Sequence, residues 1–231
     1  MRSKTDRNAR HFEPRRRRFT GWFFPSYLIL SAVFVIALGV SARRKPYFSL
    51  DLTIEKRIQE FRPTWFDRLM RLLSWSGYFP QANVVGGGIV LALWRLGLVW
   101  EAEMELVIIF GAAALFYAVL AVVGRPRPTD DLVRVSRKIP LGSFPSGHAI
   151  SFSSTLGFLG FLAYSSALPR PVRRLIASMI GVVLFLTGVA RVYSGEHWPS
   201  DVIAGYLIGL SWLGVALRLY RARKKVNSAR A

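Results

Sequence analysis

Residues 106–124 read LVIIFGAAALFYAVLAVVG, nineteen positions without a charge. A helix rising about 1.5 Å per residue crosses a bilayer core with roughly 17–25 mainly apolar residues. The stretch therefore predicts a transmembrane helix. Working outward, the runs 19–42, 72–94, 149–168, 175–190 and 202–217 also lack charge. The last two are slightly short, and polar residues at their ends extend them. The expected fold class is an all-α membrane protein: a six-transmembrane helix bundle, its first helix near 23–41 and its second near 81–100. VSA at 40–42 loosely resembles a leader-cleavage site. The apolar run before it is longer than the core of a leader peptide, and eighteen mostly polar residues precede it, so an uncleaved helix is expected.

At 231 residues the chain suits one domain. It carries 32 Lys and Arg against 13 Asp and Glu. In a membrane protein that excess collects in cytoplasmic loops, so no nucleic-acid partner is expected. Cysteine is absent, which excludes disulfides and thiolate metal sites. Residues 1–20, with RRRR at 15–18, read as a basic cytoplasmic tail on anionic headgroups. Residues 21–220 form the helical domain, and 221–231 a second basic cytoplasmic tail.

Between the first two spans, LDLTIEKRIQEF (50–61) places Leu50, Ile54, Ile58 and Phe61 at helical spacing. It reads as an amphipathic helix lying in the interface, continued by WFDRLMRLLSW (65–75). GGG at 86–88 and GYLIG at 205–209 read as helix-packing features, since small residues let backbones approach closely in lipid. With six spans, the face holding both termini carries 18 of the 32 basic residues. Several of the others are candidate ligands, so both termini are assigned to the cytoplasm.

Helix parity then brings four helix ends to the opposite face. Beside them lie GRPRP (124–128), PSGH (145–148) and ARVYSGEHWPSD (190–201). Taken singly, each has an ordinary reading. Arg125 and Arg127 are also a charged helix flank, stiffened by Pro126 and Pro128. His148 is also an interfacial polar residue, at a helix N-terminus that favours anions, and Ser146-Gly147 can turn amides toward an oxyanion. Asp201 is also a helix cap, four residues after His197, and Arg191 a snorkelling arginine. Together they say more. Two histidines and a carboxylate could bind a metal, but the arginines would repel a cation and attract a phosphate. A histidine nucleophile, a second histidine as acid and clustered arginines describe phosphoryl transfer through a phosphohistidine.

The constellation resembles the type 2 phosphatidic acid phosphatase superfamily of integral membrane lipid phosphatases. That family's motifs are Lys, six residues, Arg-Pro; then Pro-Ser-Gly-His; then Ser-Arg, five residues, His, three residues, Asp. Here Arg127-Pro128, the whole of 145–148, and Arg191, His197 and Asp201 match, and the resemblance covers roughly residues 50–215. It implies His197 as nucleophile, Asp201 as its orienter, and His148 as the acid for the leaving alcohol. It implies Arg127, Arg191, Ser146 and Gly147 around the phosphate, with no metal and no cofactor.

The motif departs at Leu120, where the family has lysine, and at Ala190, where it has serine. Arg125, or Lys138 from the loop, is the expected substitute cation. The expected function is a lipid phosphatase of the bacterial inner membrane. Its substrate is a phosphorylated lipid whose headgroup faces the periplasm or exterior. Alternatives are a lipid phosphotransferase using the same histidine, and a catalytically silent lipid-phosphate binder or transporter. The sequence sets no oligomeric state.

Overall fold

A computed structural model describes residues 22–230, with side chains to residue 223. The RRRR tail and most side chains of the C-terminal tail lie outside it. The described residues form eight helices: α1 Phe23–Arg44, α2 Ser49–Glu60, α3 Thr64–Ser76, α4 Gln81–Arg95, α5 Val99–Val123, α6 Gly147–Ser165, α7 Arg170–Tyr193 and α8 Pro199–Arg230. Four segments are long and apolar enough to cross a membrane: Phe23–Arg44, Val99–Val123, Arg170–Tyr193 and Pro199–Arg223. The expected second and fourth spans appear as α4, of 15 residues, and α6, of 19.

Local chemistry sets the ends. α5 stops at Gly124, whose left-handed φ of 60° lets its N–H cap the Leu120 carbonyl at 3.1 Å. Pro126 and Pro128 then prevent resumption. α7 opens on a proline in its first turn, and α8 on Pro199, where a missing N–H costs nothing.

α6 is the central helix, packed on α5, α7 and above all α8. Ile108, Phe158, Leu162, Leu213 and Ala216 are buried where α5, α6 and α8 meet. The α6–α8 approach needs small residues, as GYLIG suggested. A Cβ on Gly209 would lie 2.6 Å from the Ile150 carbonyl oxygen, and one on Gly205 2.7 Å from that of Ser146. The GGG reading fares differently: Gly87 and Gly88 face open space, and only Gly86 meets a neighbour, Ile109. Outward-facing Ile36, Phe110, Val182 and Phe185 are exposed, an apolar girdle suited to lipid tails.

The segment between α1 and α4 differs from expectation in being two helices, because Pro63 interrupts the run between Glu60 and Thr64. The buried face of α2 is polar. Asp51, Glu55 and Gln59, spaced i, i+4 and i+8, turn inward, while Leu50 and Phe61 are exposed. Gln59 bridges the Arg134 and Tyr193 carbonyls at 2.8 and 3.1 Å. The inward side of this helix is chosen by hydrogen-bond partners in the loops rather than by hydrophobicity.

Candidate active site

His197 lies in the short link between α7 and α8, almost fully buried. Its Nδ1 is 2.7 Å from the Ser143 carbonyl oxygen, which can only accept, so Nδ1 carries the proton. Its Nε2, 3.3 Å from Arg127 Nη1, then presents a lone pair. Burial first, then the charges of Arg127, Arg191 and His148, hold the His197 imidazole well below its ordinary pKa. The neutral, nucleophilic form is the resting one.

The resemblance implies Asp201 as the orienter of this ring. The aspartate instead stands 4.0 Å from Nδ1, and the loop carbonyl of Ser143 makes the contact. Asp201 Oδ2 accepts the Trp198 N–H at 2.9 Å, capping the start of α8. Ser143 gave no motif signal, because a main-chain acceptor is independent of residue type. The loop folds back because the Ser143 N–H donates to the Arg125 carbonyl at 2.8 Å and its hydroxyl to that of Pro126 at 3.1 Å.

Arg127 Nε donates to the Leu141 carbonyl at 2.8 Å, and Nη1 also donates to the Glu196 carbonyl. Burial and neighbouring Arg191 lower its pKa to about 10, so it stays charged at neutral pH. Arg191 is buried and ion-paired with the Glu196 carboxylate, and its Nη1 donates to the Tyr78 hydroxyl at 3.2 Å. Tyr78 in turn donates to Glu196. Neither Glu196 nor Tyr78 figured among the sequence candidates. The first is adjacent to His197 and the second lies far from any motif.

His148 opens α6 in contact with the edge of Tyr78, their ring centroids 5.3 Å apart. Its Nε2 donates to the Ser74 carbonyl at 2.9 Å. Gly77 permits this packing, since a Cβ there would overlap the imidazole ring. The Ser146 N–H is committed to the Asp201 carbonyl at 3.0 Å, so it is not free for an oxyanion. Its hydroxyl is buried without a partner. Gly147 begins α6, where the main-chain N–H has no helical acceptor.

Of the proposed replacements for the missing lysine, Arg125 is turned away from the phosphate side, and Lys138 lines the outer cavity with Arg127. Arg125 is fully buried and turned to Asp51 and Asp201, because its guanidinium is sandwiched between Phe48 and Trp198. Lys138 is at the surface, paired with Asp130 at 3.0 Å. Leu120 is a buried core residue. A cavity of about 490 Å³ opens outward from Arg127, bounded by Pro126, Thr129, Arg137, Ile139 and Gly195. Arg137 lies 4.6 Å above the Tyr78 ring, which also stacks with Arg191 at 5.2 Å.

The helical membrane bundle thus gathers His197, Arg127 and Arg191 around the α7–α8 link, groups suited to a phosphate. Residues 102–225 match the PAP2 superfamily, and the chain belongs to it, a hydrolase acting on phosphate esters. The chain is 25% identical over 184 residues to phosphatidylglycerophosphatase B of Bacillus subtilis, covering 77% of this chain and 87% of that one. It is 36% identical over 104 residues to an undecaprenyl-diphosphatase of Sulfolobus acidocaldarius, covering 44% of this chain and 41% of that one. A lipid A 1-phosphatase of Rhizobium etli is 40% identical over 81 residues, 35% of this chain and 30% of its own. The fold resembles the first transmembrane PAP2-type phosphatidylglycerolphosphate phosphatase of Bacillus subtilis, with TM-score 0.74 and 20% identity, covering 84% of this chain and 96% of that one. It also resembles LpxE of Aquifex aeolicus, with TM-score 0.60 and 23% identity, covering 74% and 96%. At those identities the structural likeness is one of fold.

Proposed function

We propose that the chain is a six-span lipid phosphatase of the bacterial inner membrane, working through a phosphohistidine. α4 and α6 complete the six spans, α2 and α3 lie at the interface, both termini are cytoplasmic, and the site faces the periplasm or exterior. The observation that carries the reading is the His197 tautomer: Nδ1–H on the Ser143 carbonyl and an Nε2 lone pair beside Arg127.

Nε2 attacks the terminal phosphorus of a phosphorylated lipid. The N–P bond forms as the P–O bond to the leaving oxygen breaks. His148, as the imidazolium formed when the anionic substrate binds, gives a proton to that oxygen and becomes neutral. Arg127 and Arg191 bind the equatorial oxygens with the Ser146 hydroxyl and the Gly147 amide, and Asp201 stabilises the charged imidazole. A water then attacks the phosphohistidine and gives a proton to His148. Phosphate leaves, and both histidines return to their starting states. No metal enters the cycle. The exposed apolar girdle favours a lipid over a soluble ester.

The test uses the purified protein in detergent with a panel of lipid mono- and diphosphates, with and without chelator, beside His197→Ala. Chelator-insensitive phosphate release that the variant loses, by roughly 10³-fold or more, is expected. Equal release by both proteins overturns the reading. Labelled product lipid without free phosphate indicates transfer to another lipid, and binding without turnover indicates a silent binder.

A further inference from the structure

We propose that Asp51 and Arg125 are positioning residues for the reaction, holding the Asp201 carboxylate at the nucleophile and leaving part of its charge for His197. The inference rests on His197 being the nucleophile.

The contacts are specific and dry. Arg125 Nη1 donates to Asp201 Oδ1 at 2.6 Å and to Ser200 Oγ at 2.7 Å. Its Nη2 donates to Asp51 Oδ2 at 2.8 Å, and its Nε to the Pro46 carbonyl at 3.2 Å. Four of its roughly five N–H bonds are so committed. Asp51 reaches further: Oδ1 accepts the Ser200 N–H at 2.9 Å and Oδ2 the Ser200 hydroxyl at 2.7 Å. The first turn of α8, which carries Asp201, is therefore fixed from α2, about 150 residues earlier in the chain. Asp51, Arg125, Ser200 and Asp201 are all buried.

The division of the guanidinium is the functional point. Shared between two carboxylates, Arg125 orients Asp201 without fully neutralising it. Oδ2 keeps negative charge 4.0 Å from His197 Nδ1, where positive charge develops as Nε2 bonds to phosphorus. Replacing Asp51 with its neutral isostere gives Asp201 the whole of Arg125 and weakens that field. Arg125 touches no reacting atom, so it acts through Asp201.

A double-mutant cycle separates this role from a merely structural one. Phosphate release is measured for the wild type, Asp51→Asn, Asp201→Asn and the double variant, with unfolding temperatures alongside. Asp51→Asn is expected to lower kcat on the order of tenfold to a hundredfold, the range seen when a group that orients a reacting ligand is lost, with KM within about twofold. In the Asp201→Asn background the same change is expected to cost less than about threefold, since its target is gone. An equal factor in both backgrounds, or wild-type kcat in Asp51→Asn, overturns the inference and leaves the hydrolase reading standing. A wild type releasing no phosphate overturns both. Should Asp51→Asn not fold, Asp51→Ser, which also removes the charge, replaces it in the same cycle under the same criterion.

Discussion

Glu196 occupies the fork of Arg191 before any substrate arrives. A phosphate entering the site must displace a carboxylate that is already buried and hydrogen-bonded, so binding is an exchange of one anion for another. Hydrogen bonds to charged groups contribute roughly 1.5–3 kcal/mol. Glu196→Gln, which keeps the shape and removes the charge, is therefore expected to tighten inhibition by inorganic phosphate or vanadate by about tenfold or more. An unchanged inhibition constant would show that Arg191 is not a phosphate ligand. At this scale the sequence was informative about residue types and poor about partners. Arg127, His148, Arg191, His197 and Asp201 were legible because their spacing is rigid relative to the helix ends, and the structure gathers them. Ser143, Tyr78 and Glu196 were not, since a carbonyl, a distant phenol and an unremarkable glutamate leave no pattern. Arg125 was misplaced because alternation with proline says that an arginine is held and does not say toward what.

α2 shows an amphipathic helix whose two faces have different partners. Its leucine, isoleucine and phenylalanine periodicity implied a helix, and a helix is present. The same periodicity implied an apolar face turned to lipid, and Leu50 and Phe61 are exposed. Beside a bilayer, lipid competes for apolar side chains, and buried arginines and carbonyls claim the polar ones. The spacing of Asp51, Glu55 and Gln59 was the available signal. Glu55 gives a measurable consequence. Both its carboxylate oxygens are buried without a partner. Burial, then the charges of Asp201 and Asp51, raise its pKa from 4.5 to about 9, opposed by Arg125. Between those values the folded protein holds a proton that the unfolded chain releases. Stability therefore falls as pH rises through the window, by at most about 1.4 kcal/mol per pH unit. Glu55→Gln removes the effect. Its unfolding temperature is expected to match the wild type near pH 5 and to exceed it at pH 8 by several degrees, at about 2–4 °C per kcal/mol. A variant less stable than the wild type at pH 8 would mean that Glu55 is ionised and paired.

For the molecule as a whole, the absence of cysteine makes the proposed topology easy to interrogate, because any introduced thiol is unique. Lys138 is exposed on the loop above the site, and Arg174 is exposed near the start of α7 at the other end of the bundle. In intact cells Lys138→Cys is expected to react with a membrane-impermeant maleimide, and Arg174→Cys only after permeabilisation. The opposite pattern would invert the orientation. Six apolar runs were visible in the sequence, yet among the described residues four helices meet the length and composition of a span. The shortfall lies in α4, cut to 15 residues by the turn at Pro80, and in α6, diluted by serines such as Ser153 and Ser154, whose hydroxyls bond to carbonyls of their own helix. The brevity of α4 has a bearing on the membrane. At about 1.5 Å per residue it measures roughly 22 Å, against a hydrocarbon core of about 30 Å. As a span, it pulls the two leaflets together locally. Its upper end runs directly from Gly77 and Tyr78, which pack on His148. The bilayer is then thinnest beside the site, where sunken headgroups need to rise least to reach it. Turnover should consequently depend on acyl-chain length in reconstituted vesicles, faster in thin bilayers than in thick ones, and a rate indifferent to thickness would mean that α4 is sheathed by protein rather than lipid.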